Sequence, residues 1–148
     1  MYVWVTALAV VCIGLAAAFS PRDAATGAAE QAKAASDQKA IDLKEKRFDV
    51  AVGGAVMLRK AMRNPDSFKV SSAFVAEDAS SVCYEYRSQN GFGGMNVAHV
   101  IATSSAFVGS SNPRFHALWK KNCSGKIGYE AAADVTSALW WYDKSHSN

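Results

Sequence analysis

The chain has 148 residues, 50% of them hydrophobic, and a formal net charge of +3 at pH 7. This length suits one compact domain with an accessory segment. The positive charge is too small and too widely spread to indicate a nucleic-acid-binding protein, because such proteins usually concentrate basic residues on one face. We therefore expect no nucleic-acid partner.

The first predicted element is the uncharged, apolar segment of residues 2–19. As a helix it would extend roughly 27 Å, which is close to the hydrocarbon thickness of a bilayer. No Lys or Arg precedes it, whereas a cleavable signal peptide has a basic start and a shorter apolar region. We expect residues 1–20 to be a single-pass anchor that contacts the membrane through residues 2–19. A cleaved signal is the second interpretation and a buried helix the third.

Residues 21–38 are rich in alanine and small polar side chains and predict a linker or a weakly packed helical stalk. A long helix is expected from about Ser36 to Arg63, where apolar residues recur at helical spacing. Gly53 and Gly54 interrupt this pattern, which indicates either a close approach of helix and sheet or a break between two helices. We assign the folded domain to residues 39–148.

Three segments with the alternating pattern of half-buried strands follow the helix, at residues 67–76, 81–88 and 95–103. Asn90 and Gly91 predict a hairpin between the second and third strands, because both residues tolerate positive φ. Residues 104–112 are expected to form a loop.

Two short helices are predicted in the last third of the chain. Asn112 and Pro113 suit the start of a helix at residues 113–122. Residues 129–142 predict a last helix, with a C-terminal strand as the alternative. The expected fold is α+β: a three-stranded antiparallel sheet packed by one long N-terminal helix and one or two short C-terminal helices, preceded by a single membrane-spanning or signal helix.

The glycine-rich centre of the hairpin, residues 91–94, could be a ligand loop or a turn. A phosphate-binding loop opens a helix, whereas the residues after Gly94 alternate like a strand, so we predict no cofactor site. Phe92 at this tip either folds back onto the core, which we favour, or stays exposed as a contact residue.

His99 is the only histidine in a predicted strand, and the hairpin places it opposite Tyr84 or Glu85. A Glu85–His99 pair could transfer protons, so a small hydrolase is a less favoured alternative. No nucleophile is convincingly placed beside it, and no Cys/His spacing fits a zinc site. We expect a protein that is not an enzyme, without catalytic or metal-binding residues.

Candidate contact residues come from the hairpin and from the aromatic C-terminal segment. Trp140 and Trp141 are adjacent, so they cannot both point the same way, and an exposed tryptophan would suit an interface. The candidate contact residues are Phe92, Arg87, Asn96 and Trp141.

Two motifs within residues 62–101 form a recognisable pattern: NPDSFKV (residues 64–70) and SVCYEYRSQNGFGGM (residues 81–95). They resemble D-P-D-S-x-x-F and then V-C-G-x-V with N-x-x-N-x-F-G-G-Y, the pattern of a family of small, functionally uncharacterised bacterial and prophage envelope proteins. Tyr84 stands where that family has glycine, and Met95 where it has tyrosine.

The cysteines alone leave two interpretations open, because Cys83 and Cys123 could form a disulfide or stay reduced and buried. Charge bias around the apolar segment leans toward a cytoplasmic domain. The resemblance instead implies export, and with it a periplasmic domain with a Cys83–Cys123 bridge.

The resulting hypothesis is a bacterial inner-membrane protein whose small periplasmic domain binds another envelope protein without catalysis. A protein secreted after signal cleavage is the alternative for location. A phage- or prophage-derived exclusion or inhibitor factor at the inner membrane is the alternative for function.

Overall fold

A computed structural model describes residues 21–146 of the chain. The chain divides into two compact units, Met1–Asp37 and Gln38–Asn148, and the second unit carries the sheet. None of the helices in residues 21–146 is long and apolar enough to cross a membrane. The expected membrane-spanning helix thus has no counterpart in this range, and residues 2–19, on which it was placed, lie outside it.

Nine elements succeed one another along the described residues, five of them strands. They are helix α1 (Pro21–Ala61), a 3-10 turn (Pro65–Ser67), strands β1 (Lys69–Ala76), β2 (Ser81–Gln89), β3 (Met95–Thr103) and β4 (Phe107–Gly109), helix α2 (Phe115–Asn122), strand β5 (Gly128–Glu130) and helix α3 (Ala132–His146). The first three strands lie where the alternating pattern predicted strands. Helix α1 already includes Pro21, well before Ser36, so the alanine-rich residues 21–38 are helical.

The sheet is antiparallel with five strands in the order β4-β3-β2-β1-β5, so the prediction of a three-stranded sheet is wrong. Both additional strands have three residues and form the two edges of the sheet. A segment of three residues is too short to show the alternation by which a strand is recognised. Strand β4 therefore lies in the region expected to be a loop.

One face of the sheet carries the main hydrophobic core. Val82 and Tyr84 of β2 and Val100 of β3 are buried there together with residues of α1 and α3. The Tyr84 hydroxyl donates a hydrogen bond to the Ala51 carbonyl of α1 at 2.6 Å. Burial raises the pKa of this hydroxyl well above its usual range.

The two central glycines of α1 meet different surroundings. A Cβ atom at Gly54 would overlap the Tyr84 hydroxyl and lie 3.2 Å from Tyr84 Cζ, so only glycine lets the helix come this close to β2. A Cβ atom at Gly53 would meet nothing within 4 Å. Of the two interpretations of the pair, the close approach of helix and sheet is therefore the correct one.

The opposite face of the sheet is covered in part by α2. Cys83 of β2 is disulfide-bonded to Cys123, directly after α2, with a Cα–Cα distance of 5.9 Å. The bridge that the resemblance implied is thus present. Ile101 of β3 is the cross-strand partner of Cys83 and is buried on this face, as is Phe115 of α2.

Glu130 caps the part of the β1 edge that lies next to β5. Its Oε1 accepts hydrogen bonds from the Ala73 amide at 2.7 Å and from the Ala132 amide at 3.0 Å, and its Oε2 accepts one from the Ser72 hydroxyl at 2.7 Å. The register of β1 shifts between Val70 and Ser72. The carboxylate therefore accepts hydrogen bonds from a backbone amide at an irregular part of β1 and from one in the first turn of α3.

Candidate functional site

The tip of the β2–β3 hairpin is built around Asn90. The Asn90 amide donates to the Gly94 carbonyl at 2.8 Å, and the Gly93 amide donates to the Asn90 carbonyl at 3.2 Å. Asn90 Oδ1 accepts hydrogen bonds from the amides of Phe92 at 2.9 Å and Gly94 at 3.0 Å. Gly93 has φ of 88°, a value that glycine adopts without strain. One side chain therefore fixes the whole loop.

The hairpin is also tied to the segment that follows α1. Asn64 Nδ2 donates to Gln89 Oε1 at 2.6 Å, and the Ser67 hydroxyl accepts a hydrogen bond from the Gln89 amide at 2.8 Å. Gln89 Nε2 continues this chain of bonds to the Gly93 carbonyl at 3.0 Å. Asn64 and Ser67 belong to the first motif and Gln89 to the second, so hydrogen bonds connect the two motifs. The sequence patterns did not predict this contact. Its only indication was that both motifs occur in the same chain.

Phe92 is fully exposed at the tip, with 101% relative exposure. The favoured expectation that it folds back onto the core is therefore wrong. The backbone explains its position, because the hydrogen bonds of Asn90 turn the chain at Phe92 itself. On its N-terminal side, a Cβ atom at Gly91 would lie 3.3 Å from Cζ of Arg63, so the loop runs directly over this guanidinium.

Next to the tip, one face of the hairpin is exposed and carries apolar and basic side chains. Arg87 of β2 pairs with Lys69 of β1 on one side and with Val97 of β3 on the other, so the three residues form one row across the sheet. Met95 and Val97 are 53% and 54% exposed. We call this set the hairpin surface; it consists of Lys69, Arg87, Phe92, Met95 and Val97.

The two remaining candidate contact residues lie elsewhere. Asn96 belongs to the other face of β3, and its Oδ1 accepts a hydrogen bond from Asn90 Nδ2 at 3.2 Å, so it supports the loop. Trp141 lies on α3, which packs against β1. Trp140 and Trp141 are both exposed, with their rings edge to face at 4.7 Å, and Lys144 Nζ lies 4.9 Å from the Trp140 ring centre. Trp141 is therefore not part of the hairpin surface.

Glu85 and His99 are direct cross-strand partners, which decides between the two registers considered for His99. Their side chains are half-buried, and His99 Nε2 lies 3.2 Å from Glu85 Oε2. The indole of Trp119 on α2 contacts the His99 ring edge to face at 5.4 Å between ring centres. No hydroxyl or thiol of residues 26–145 forms a hydrogen bond with this ring, and its contact with Trp119 connects the sheet to α2.

A cavity of about 560 Å³ lies between α1 and the adjacent ends of β2, β3 and β4. Its apolar lining includes Val50, Met57, Ala102 and Phe107, and Gly53 opens onto it. No candidate contact residue in the described part of the chain lines this cavity. The sequence-predicted residues and this cavity are therefore separate features.

Comparison of the chain with protein-family models, curated protein sequences and solved structures finds no match. The function must therefore be inferred from the geometry of the domain. Two features carry that inference: the rigid tip with its exposed Phe92, and the disulfide between β2 and the end of α2.

Proposed function

We propose that this protein is a bacterial envelope protein whose domain binds another envelope protein without catalysis, through the hairpin surface. The observation that carries the proposal is the full exposure of Phe92 on a loop fixed by hydrogen bonds. Exposing a large apolar ring to water is unfavourable, and a rigid aromatic side chain loses little conformational entropy when it enters a pocket on a partner. Aromatic and arginine side chains also dominate the binding energy of protein interfaces, and Arg87 lies on the same hairpin.

The proposed location is the periplasm. Disulfides persist in oxidising compartments and are rare in the cytosol, so the Cys83–Cys123 bond supports an extracytoplasmic domain. Attachment through residues 2–19 remains a prediction of the sequence.

A binding role also suits the polar groups of the domain better than catalysis does. In the Glu85–His99 pair, the carboxylate and the imidazole interact with each other, and the imidazole ring contacts Trp119. A hydrolase would need a nucleophilic side chain within reach of this pair. The pair instead strengthens the attachment of α2 to the sheet.

Site-specific photocrosslinking in the native host tests this proposal. A benzophenone amino acid replaces Phe92, and in a second strain it replaces Ile127, which is also apolar and exposed but lies between α2 and β5. We expect one discrete adduct from position 92 and none from position 127, detected by immunoblotting. Excess wild-type domain should compete for the adduct, whereas Phe92→Ala should not. The absence of an adduct at position 92, or equal adducts at both positions, would contradict the proposal.

A further inference from the structure

Strand β3 has an edge that is only partly paired. β2 pairs with β3 from Met95 to Thr103, whereas β4 pairs only with Val100–Ala102. On the side away from β2, no strand within residues 21–146 therefore pairs with Met95–His99. This stretch lies at the exposed end of the hairpin, next to Phe92.

The register shows which backbone groups point outward along this edge. The Thr103 amide donates to the Ala106 carbonyl on the β4 side, at 2.9 Å. Because backbone groups alternate in direction along a strand, the amides and carbonyls of Met95, Val97 and His99 point to the same side as those of Thr103. The free edge thus presents three outward donors and three outward acceptors at the spacing of a strand.

The side chains along the edge define the chemistry of what could pair with it. Met95 and Val97 offer an exposed apolar surface on the face shared with Arg87 and Lys69. The acidic residue in the neighbouring cross-strand pair, Glu85, is already bonded to His99. Among the described residues, neither Arg87 nor Lys69 forms a salt bridge with a carboxylate. The face beside the free edge is therefore apolar, and its nearest unpaired cation among the described residues is Arg87 on the adjacent strand β2.

We propose that the free edge of β3, Met95–His99, binds an extended acidic segment of the partner protein as an additional antiparallel or parallel strand. This proposal rests on the proposed binding function and specifies how the partner binds. The backbone of the segment pairs with the outward groups of Met95, Val97 and His99, as in other cases of strand addition. The side chains of the segment alternate between the two faces of the sheet, so every second one lies on the face of Met95, Val97 and Arg87, and the carboxylates on that face point toward Arg87.

A labelled peptide tests the proposal with the full-length protein, purified in mild detergent because residues 2–19 are apolar. The probe is an acetylated, fluorescein-labelled hexapeptide of alternating glutamate and valine, and binding is measured by fluorescence anisotropy. We expect saturable binding. The same peptide with lysine for glutamate should bind at least about tenfold more weakly because its cations are repelled by Arg87. A version N-methylated at every inner amide should not bind, because neither of its edges can donate hydrogen bonds.

Variants of one residue separate backbone pairing from folding. The Val97 amide points away from β2, so Val97→Pro removes an outward donor without removing a hydrogen bond of the β2–β3 ladder. We expect this variant to bind the acidic peptide at least about tenfold more weakly, a loss on the scale of one hydrogen bond at a paired edge. Val97→Thr keeps the amide and should stay within about threefold of wild type. Circular dichroism and a thiol assay for the intact bridge check that both variants fold.

Arg87→Ala tests the electrostatic part of the proposal. It should weaken binding of the acidic peptide and reduce the dependence of affinity on salt, because one cation no longer faces the carboxylates. Unchanged affinity together with an unchanged salt dependence would overturn the assignment of an acidic partner.

The remaining outcomes distinguish this inference from the proposed function. Equal binding of the N-methylated or the lysine-containing peptide would overturn strand addition of an acidic segment. If no peptide binds while the photocrosslinked adduct at position 92 persists, strand addition is also overturned. That result would still support the proposed binding function. Self-association of the wild type that Val97→Pro abolishes would also overturn the inference, because the occupant of the edge would then be a second copy of the chain.

Discussion

Single residues with the same chemistry have different roles in this domain, as Gly53 and Gly54 show. Both residues lower the intrinsic stability of α1, since glycine in a helix interior costs about 1 kcal/mol relative to alanine. At Gly54 the missing Cβ makes room for the Tyr84 hydroxyl, whereas a Cβ atom at Gly53 would face open space. The two positions therefore form a matched pair for mutation.

We expect Gly54→Ala to destabilise the domain by about 1–3 kcal/mol, because the new methyl group overlaps a buried tyrosine. Gly53→Ala should stabilise it by about 0.5–1 kcal/mol, because the methyl group meets no neighbouring atom and improves helix propensity. Urea unfolding followed by circular dichroism measures both changes. Effects of the same sign and size at the two positions would show that the close contact with Tyr84 does not limit the packing of α1.

At the scale of elements, the attachment of α2 to the sheet depends on few contacts. Helix α2 is a two-turn helix whose buried residue is Phe115, and its other links to the sheet are the Trp119–His99 contact and the disulfide that follows it. A helix of this length is not stable alone in water. The bridge closes a loop with a sequence separation of 40 residues, so it restricts the unfolded chain considerably.

Replacing both cysteines, in the variant Cys83→Ala with Cys123→Ala, should lower the free energy of unfolding by roughly 3–4 kcal/mol. The physical reason is the entropy that the unfolded chain regains when the loop is opened. Denaturant unfolding of oxidised wild type and of the variant measures the difference. Cys12→Ala is the control, because it leaves the bridge intact. A loss below about 1 kcal/mol would show that α2 and the sheet hold together without the bond.

The sequence predicted the elements with strong patterns and missed those whose position depends on the rest of the fold. Strands β1, β2 and β3 alternate over eight or nine residues each, and their bounds were predicted within two residues. Strands β4 and β5 have three residues and are strands only because a longer neighbour pairs with them. The alanine-rich start of α1 has no apolar stripe, so no pattern distinguished a linker from a helix.

In the candidate site, too, local patterns were predictable and features that depend on the rest of the fold were not. The turn at Asn90 and Gly91 could be predicted from residue types, because those types tolerate the backbone of a hairpin turn. The direction of Phe92 could not, since it depends on five hydrogen bonds within the loop and on Arg63 beneath it. The free edge of β3 could not be predicted from the sequence either, because it exists only where the short strand β4 leaves β3 unpaired.

At the scale of the whole molecule, α1 is a helix of 41 residues with an uneven environment along its length. All side chains from Ala28 to Asp42 are exposed, whereas Ala51, Ala55 and Leu58 are buried in the core. Tertiary packing supplies most of the stability of helices in proteins, so the two parts of α1 should differ in stability although the helix is continuous.

We expect hydrogen exchange of the full chain to show this difference. Amides of residues 30–42 should open at a cost of about 0–2 kcal/mol, whereas those of residues 51–58 should exchange only at the free energy of global unfolding. The measurement is exchange followed by mass spectrometry on overlapping peptides. Uniform protection along α1 would show that its first half is held by contacts outside those described.

The two edges of the sheet differ in one further respect, which concerns crowded solutions of this protein. The Glu130 carboxylate bonds to the β1 edge just beyond the residues that β5 pairs, whereas the edge at β3 is open to any extended chain, including another molecule of the same kind. Two molecules that pair through their open edges would bring Arg87 of each toward Arg87 of the other, with the two β3 strands between them. Their mutual repulsion should oppose this pairing, and added salt should screen the repulsion. The cations that would attract an acidic partner thus also protect the edge from self-pairing, and concentrated stocks are expected to be most stable at low ionic strength.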